Sequence, residues 1–218
     1  MHLLNLFSGT GSVSMPFRSA GHTIFDVDVD PTFSPDYCGD ILQWDYKSLD
    51  FIPDIIWASP PCDQYSMART RAKTPRNLVL ADKLVAKALE IIEYFEQQNP
   101  DLIWFVENGN STLLWGREVA KSLVLGSYVV LDYCQYGKLY RKRTRIAHSQ
   151  NLVWQPRELC DPKTCHACVG GKHIKTAQRG PCAGRIGDVC SLNELHALPS
   201  ELCDEILSVC QQHNWQIL

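Results

Sequence analysis

Five short apolar runs, at residues 3–7, 23–28, 54–58, 102–106 and 128–132, each stop abruptly at a polar or glycine-rich segment. Runs that are apolar at nearly every position suit strands covered on both faces, and helical patterns lie between them. The clearest helix spans 77–97, with Leu80, Leu84, Ala88, Ile91, Ile92 and Phe95 on one side. An earlier helix follows the first strand, runs through Arg18 and stops at Gly21. Strand, helix and strand in repetition predict an α/β fold with a doubly wound, mostly parallel sheet. Periodicity fades after Ile146: residues 147–190 carry Gly, Pro, Cys and Lys without pattern, and Leu202, Ile206 and Val209 restore helical spacing over 199–212. The chain thus divides into an α/β body at 1–146, a small irregular insertion at 147–190, and a C-terminal helix within 191–218 that packs back on the sheet.

With 218 residues, 45% of them hydrophobic, the chain can bury one real core, which excludes disordered, collagen-like and coiled-coil architectures. No apolar run approaches the roughly 18 residues of a membrane span. Met1-His2-Leu3-Leu4-Asn5-Leu6-Phe7 lacks the basic flank and cleavage site of a signal peptide, so an intracellular, cytoplasmic protein without membrane contact is expected. Ten cysteines fall short of a disulfide scaffold and point to thiols, nucleophiles or metal ligands. The net charge of -3 conceals a segregation: from Lys138 to Arg185 eleven basic residues meet only Glu158 and Asp161, which leaves that segment at +9 and the remainder at -12. A second basic run, Arg69, Arg71, Lys73 and Arg76, contains no acid. Phosphate neutralisation needs local patches of this kind, so a nucleic-acid partner is expected.

Ligands of open α/β sheets bind outside the carboxyl ends of the strands, which singles out the residues that end each run. Phe7-Ser8-Gly9-Thr10-Gly11 ends the first, and its glycines let backbone amides approach a ligand ahead of a helix start. No Gly-Lys-Ser/Thr follows, which excludes a phosphate-cradling loop, and Ser14 stands where a dinucleotide fingerprint has its third glycine. Asp28 ends the second run and can accept from both hydroxyls of a ribose, so the combination suits an adenosine ligand, either a nicotinamide dinucleotide or S-adenosylmethionine. The third run leads into Ser59-Pro60-Pro61-Cys62, where two prolines fix the backbone before a thiol. Nearby Arg69, Arg71 and Lys73 would favour its thiolate. Glu107-Asn108-Gly109 ends the fourth run with a carboxyl that burial would tend to keep protonated, a candidate acid or partner for a substrate ring. Past the fifth, alternation puts Arg141, Arg143 and Arg145 on one face, able to reach a base oxygen, a phosphate and a carboxylate.

In this order the motifs resemble those of the DNA (cytosine-5) methyltransferase family, over about residues 3–148. The resemblance rests on the Phe-Ser-Gly-x-Gly turn, the acidic Asp28, Gly39-Asp40-Ile41, Pro60-Pro61-Cys62, Glu107-Asn108, and Tyr136-Gly137 followed by Arg143-Thr144-Arg145. Short members from phage and viral genomes look most similar. The resemblance implies the class I, Rossmann-like fold of S-adenosylmethionine-dependent methyltransferases, double-stranded DNA as partner, and a monomer acting inside the cell, the host cell if viral. It implies Phe7, Ser8, Gly9, Thr10, Gly11, Asp28, Asp40, Ile41 and Pro60 around the cofactor, with Asp28 on the ribose and Asp40 on the adenine. It further implies a cytosine flipped out of the duplex, attack of the Cys62 thiolate on C6, Glu107 on N3 and the exocyclic amine, and Arg143 on O2, with Arg145 in the same motif. Residues 66–76 would close on the base, and Arg69, Arg71, Lys73, Arg141 and Lys142 would contact DNA. Arg141 stands where the family motif has Gln, and the family's C-terminal Gly-Asn motif is missing. The recognition region is so short that a target of about two to four base pairs is expected.

Within the insertion, Cys160, Cys165, Cys168 and His173 have the residue types of a structural zinc site, with Cys182 as an alternative fourth ligand. Three other readings stay open on the sequence. A tRNA cytosine methyltransferase would share every catalytic motif, a catalytically silent relative would keep the basic patch, and a nicotinamide-dependent oxidoreductase would explain the glycines and Asp28 only.

Overall fold

The computed structural model describes residues 1–70, 72–177 and 190–217. Seven strands form one sheet: β1 (His2–Leu6), β2 (Thr23–Asp28), β3 (Tyr37–Cys38), β4 (Ile55–Ala58), β5 (Ile103–Gly109), β6 (Ser127–Asp132) and β7 (Arg143–His148). Their spatial order is β3-β2-β1-β4-β5-β7-β6. Pairing is parallel from β3 through to β5, while β7 lies antiparallel between β5 and β6. The winding reverses between β1 and β4, so their carboxyl ends border the crevice in which such sheets take ligands. The doubly wound, mostly parallel sheet expected from the apolar runs is therefore present. The basic tract after the fifth run is the antiparallel strand β7, and the fourth run extends to Gly109 because Glu107, Asn108 and Gly109 pair with it.

Helices α1 (Ser14–Ser19), α2 (Leu78–Glu96), α3 (Lys121–Leu125), α4 (Leu192–His196) and α5 (Ser200–Ile217) cover the sheet. The Asn77 side chain accepts from the amide of Leu80 at 3.1 Å and starts α2. The buried stripe of α2 is Ala81, Val85, Ala88, Ile91, Ile92 and Phe95. Leu80 is exposed and Leu84 only partly buried, which corrects the expected face by one position in its first two turns. The stripe through Ala81 and Ala88 sets small side chains against the sheet, and the bulkier leucines turn outward.

Alternation along each strand divides the core between two faces. Leu3, Trp57, Phe105 and Ile146 pack with Phe17 of α1 and with Leu202, Cys203, Ile206 and Cys210 of α5. Leu4, Ile56, Val106 and Ala147 pack on the other side with α2, Trp44 and Tyr46. Helix α5 packs against the sheet through these residues. In the insertion, β8 (Cys168–Val169) and β9 (Lys172–His173) form a hairpin turned at Gly170 and Gly171, with φ 58° and 74°. Only glycine takes two successive left-handed residues cheaply, which is what this tight turn demands. Arg71, Arg179, Cys182 and Arg185 lie outside the described residues. Among the described residues no helix is long and apolar enough to cross a membrane.

Candidate active site

The turn after β1 is left-handed at Phe7 (φ 58°), Gly9 (φ 48°) and Gly11 (φ 68°). A Cβ on Gly11 would meet nothing within 4 Å, so glycine is needed there for the backbone path and leaves open space above it. The amide of Gly9 donates to Asp28 Oδ2 at 2.8 Å and the amide of Asp30 to Oδ1 at 2.9 Å, which fixes the carboxylate at the mouth of the turn. The amide of Gly39 donates to the Asp28 carbonyl at 3.0 Å, and this brings Asp40 and the buried Ile41 beside the same strand end. At Gly39 a Cβ would stand 2.9 Å from the Tyr37 hydroxyl, so no larger residue fits without displacing that ring.

Below the turn lies a buried polar network that sequence reasoning missed. Asn5 Nδ2 donates to Ser14 Oγ and to Asp26 Oδ1, each at 2.8 Å, Ser14 donates to Asp26 as well, and Arg18 reaches its other oxygen at 3.2 Å. Ser14 thus replaces the third glycine because its hydroxyl locks α1 to β1 and β2. Asn5, a polar residue inside an otherwise apolar run, was the available signal.

Cys62 follows β4 in a tight loop, its carbonyl accepting from the amides of Tyr65 at 3.0 Å and Ser66 at 2.8 Å. Tyr65 is fully buried and donates its hydroxyl to Asp82 at 2.9 Å, and Asp82 is gripped in turn by the Arg117 fork. From β5, Asn108 Nδ2 donates to the Pro60 carbonyl at 3.0 Å. The buried Glu107 precedes it, and the Tyr133 hydroxyl lies 3.5 Å from Glu107 Oε1. Burial and the Glu107 carboxyl hold the Tyr133 phenol well above its ordinary pKa, so it donates. Burial also pushes the Cys62 thiol up, and Lys142 is the strongest opposing influence, with Glu107 and Asp63 adding to the rise.

Neither Arg69 nor Lys73 is among the groups that act on the Cys62 thiol, and Arg71 lies outside the described residues. Arg69 turns back onto Thr74 and Pro75, and Arg76 onto the carbonyls of Gln64 and Ser66, so these guanidinium groups fold their own loop. Lys73 is exposed. Lys142 is half-buried, its ammonium 4.9 Å from the Tyr133 ring centroid and 3.1 Å from the carbonyl of Leu195.

Arg143 and Arg145 share one face of β7, and Arg141 precedes the strand in an exposed loop. Arg143 forks onto the buried Asp132 at 3.0 and 2.7 Å. Arg145 lies between the rings of Trp115 and Tyr128, at 5.0 and 4.5 Å, and reaches Asn110 Oδ1 at 3.3 Å. Glu107 pairs in register with Ile146 and so shares the opposite face. Arg157 binds Glu201 at 2.6 Å and Lys175 binds Glu194 at 3.4 Å. Acids from α4 and α5 therefore neutralise part of the basic segment, and Arg141, Lys163 and Lys172 remain exposed.

The cysteines converge on a set that differs from the expected one in one member. Ligand atoms of Cys134, Cys160, Cys165 and His173 all lie within 4.8 Å of one another, and this group could hold a metal ion. Cys168 sits at its edge. Cys134 belongs to the turn after β6, outside the insertion to which the spacing argument was confined.

Comparison with known proteins finds a family and several relatives. The profile of the family described as C-5 cytosine-specific DNA methylase matches residues 1–113. A probable DNA (cytosine-5)-methyltransferase of Frog virus 3 (isolate Goorha) is 33% identical over 201 residues, which covers 85% of this chain and 83% of the relative. Among solved structures, the Dnmt2 methyltransferase of S. pombe aligns over 78% of this chain at 17% identity and a TM-score of 0.46. The EhMeth methyltransferase of Entamoeba histolytica aligns over 73% at 16% identity and a TM-score of 0.47. The chain spans 57% and 56% of those two proteins.

Proposed function

Because the chain belongs to the C-5 cytosine-specific DNA methylase family, the DNA (cytosine-5)-methyltransferases, we propose that it methylates C5 of a flipped cytosine in duplex DNA through Cys62, with S-adenosylmethionine as donor. One observation carries the reading: the Asn108 to Pro60 hydrogen bond fastens the Cys62 loop to the end of β5, where Glu107 stands.

The residues at the β1 and β2 ends fit the cofactor. Gly11 leaves open space, and Asp28, held by two amides, keeps lone pairs on both oxygens for ribose hydroxyls. Phe7, Ser8, Gly9 and Thr10 line the methionine end, Asp40 and Ile41 the adenine, and Pro60 the side toward the thiol. Bound there, S-adenosylmethionine supplies an electrophilic methyl group.

The chain's own residues prepare the acceptor. A base inside a duplex is out of reach, so the cytosine leaves the stack. The Cys62 thiol gives its proton to solvent and the sulfur bonds to C6, which moves the ring's electron pair onto C5. Glu107 holds N3 and the exocyclic amine and supplies the proton that N3 gains as that charge develops. Tyr133 orients the carboxyl. Arg143 is forked onto Asp132 on the face of β7 opposite Glu107, so the O2 contact that the resemblance implies for it is not part of this reading. Once C5 is alkylated, its proton passes to water, the C6–S bond breaks with the electron pair going to the departing thiolate, and N3 returns its proton to Glu107 as the aromatic ring is restored. Arg141 and Lys73 sit exposed to meet phosphates.

Incubating the protein with methyl-labelled S-adenosylmethionine and either duplex DNA or tRNA tests the reading. Label on cytosine C5 in DNA is the expected result, and label confined to tRNA, or no transfer, overturns it.

A further inference from the structure

We propose that Cys134, Cys160, Cys165 and His173 bind one structural zinc ion that staples the insertion to the end of β6. The geometry suits this ion. Bonds of about 2.3 Å to sulfur and about 2.0–2.1 Å to nitrogen give a tetrahedron whose S···N edges are about 3.6 Å. His173 Nε2 lies 3.5 Å from Cys160 Sγ and 3.8 Å from Cys165 Sγ. Three thiolates and one imidazole form a closed, soft set that favours zinc over the oxygen-seeking cations.

The surroundings are built for it. The three sulfur ligands are buried, and their apolar company is Ala167 with Cys168 at the rim, too little to hold a hairpin by burial alone. The amide of Cys165 donates to the Asp161 carbonyl at 2.9 Å and that of Cys168 to the Cys165 carbonyl at 3.0 Å, which shapes the turn presenting Cys165. Gln135 Nε2 approaches Cys165 Sγ at 3.9 Å, an outer donor to a ligating sulfur. On binding, three S–H protons leave to solvent, three Zn–S bonds and one Zn–N bond form, and no oxidation state changes. The consequence reaches the sheet, because the amide of Cys160 donates to Asp132 Oδ2 at 3.0 Å, the oxygen that also receives Arg143. Metal binding thereby fixes the support of Arg143 as well as the hairpin.

Metal content reads this proposal independently of methyl transfer, so either reading can fail alone. The full chain, purified without chelator or metal-binding tag, is assayed for zinc and reconstituted with cobalt(II). The expected result is about one zinc per chain, with cobalt giving thiolate charge-transfer and tetrahedral ligand-field bands. Cys134→Ser loses the metal and Cys168→Ser keeps it. Should Cys134→Ser not fold, the partly exposed His173→Ala provides the same contrast. A folded parent protein that takes up neither metal, a disulfide among the three cysteines, or loss of metal in Cys168→Ser but not in Cys134→Ser overturns the proposal.

Discussion

Asn108 Nδ2 donates to the carbonyl of Pro60 at 3.0 Å, so the strand that carries Glu107 also positions the loop that carries Cys62. Both partners are buried, and no other side chain spans these two motifs through a hydrogen bond among the described residues. Asn108→Ala would leave a carbonyl without its partner, at a cost of about 1–3 kcal/mol. Urea unfolding should report that loss, and kcat should fall while the affinity for S-adenosylmethionine stays unchanged. Unaltered stability and kcat would show that the bond positions nothing.

Lys142 supplies the charge that opposes the burial-driven rise of the Cys62 pKa. The reactive form is the thiolate, so activity rises with pH as the thiol ionises. Without the ammonium the thiol holds its proton to higher pH. Lys142→Met should therefore move the rising limb of the kcat profile upward in pH, and an unmoved limb contradicts the assignment.

Asp28 both holds the Gly9 amide and offers its lone pairs to the crevice. Asp28→Ala should weaken S-adenosylmethionine by about 1–3 kcal/mol, since the lost acceptor is charged. Calorimetry that returned the parent affinity would remove Asp28 from the ribose site.

Strands β1, β2, β4, β5 and β6 were legible because each is a nearly continuous apolar run, and the motifs were legible because each sits where a strand ends. Contacts between distant segments were not. β3 has two residues and no apolar run, and it pairs through Val27 and Asp28 alone. Asn5, Asp26 and Ser14 meet only once three segments are folded together. Cys134 was overlooked for the same reason: it precedes the insertion, and only the turn after β6 brings it to Cys160. The basic segment looked more available than it is because Glu194, Glu201 and Glu205 come from helices that follow it in sequence.

That pairing gives a measurable contrast between two arginines. Arg141→Ala should weaken DNA binding and reduce the salt dependence by about one phosphate contact. Arg157→Ala should leave the salt slope unchanged, because Glu201 and Glu205 already engage that guanidinium. Equal slopes for the two variants would refute the division.

The proposed reaction passes through a covalent bond between Cys62 and C6 of the target cytosine. Duplex DNA containing 5-fluorocytosine tests it most directly, because fluorine on C5 cannot leave as a proton does and the adduct cannot resolve. With S-adenosylmethionine present, the parent protein should form a denaturant-resistant complex whose cross-linked peptide contains Cys62, and Cys62→Ala should form none and transfer no methyl group. A Cys62→Ala variant that methylates cytosine at the parent rate would rule out the covalent mechanism.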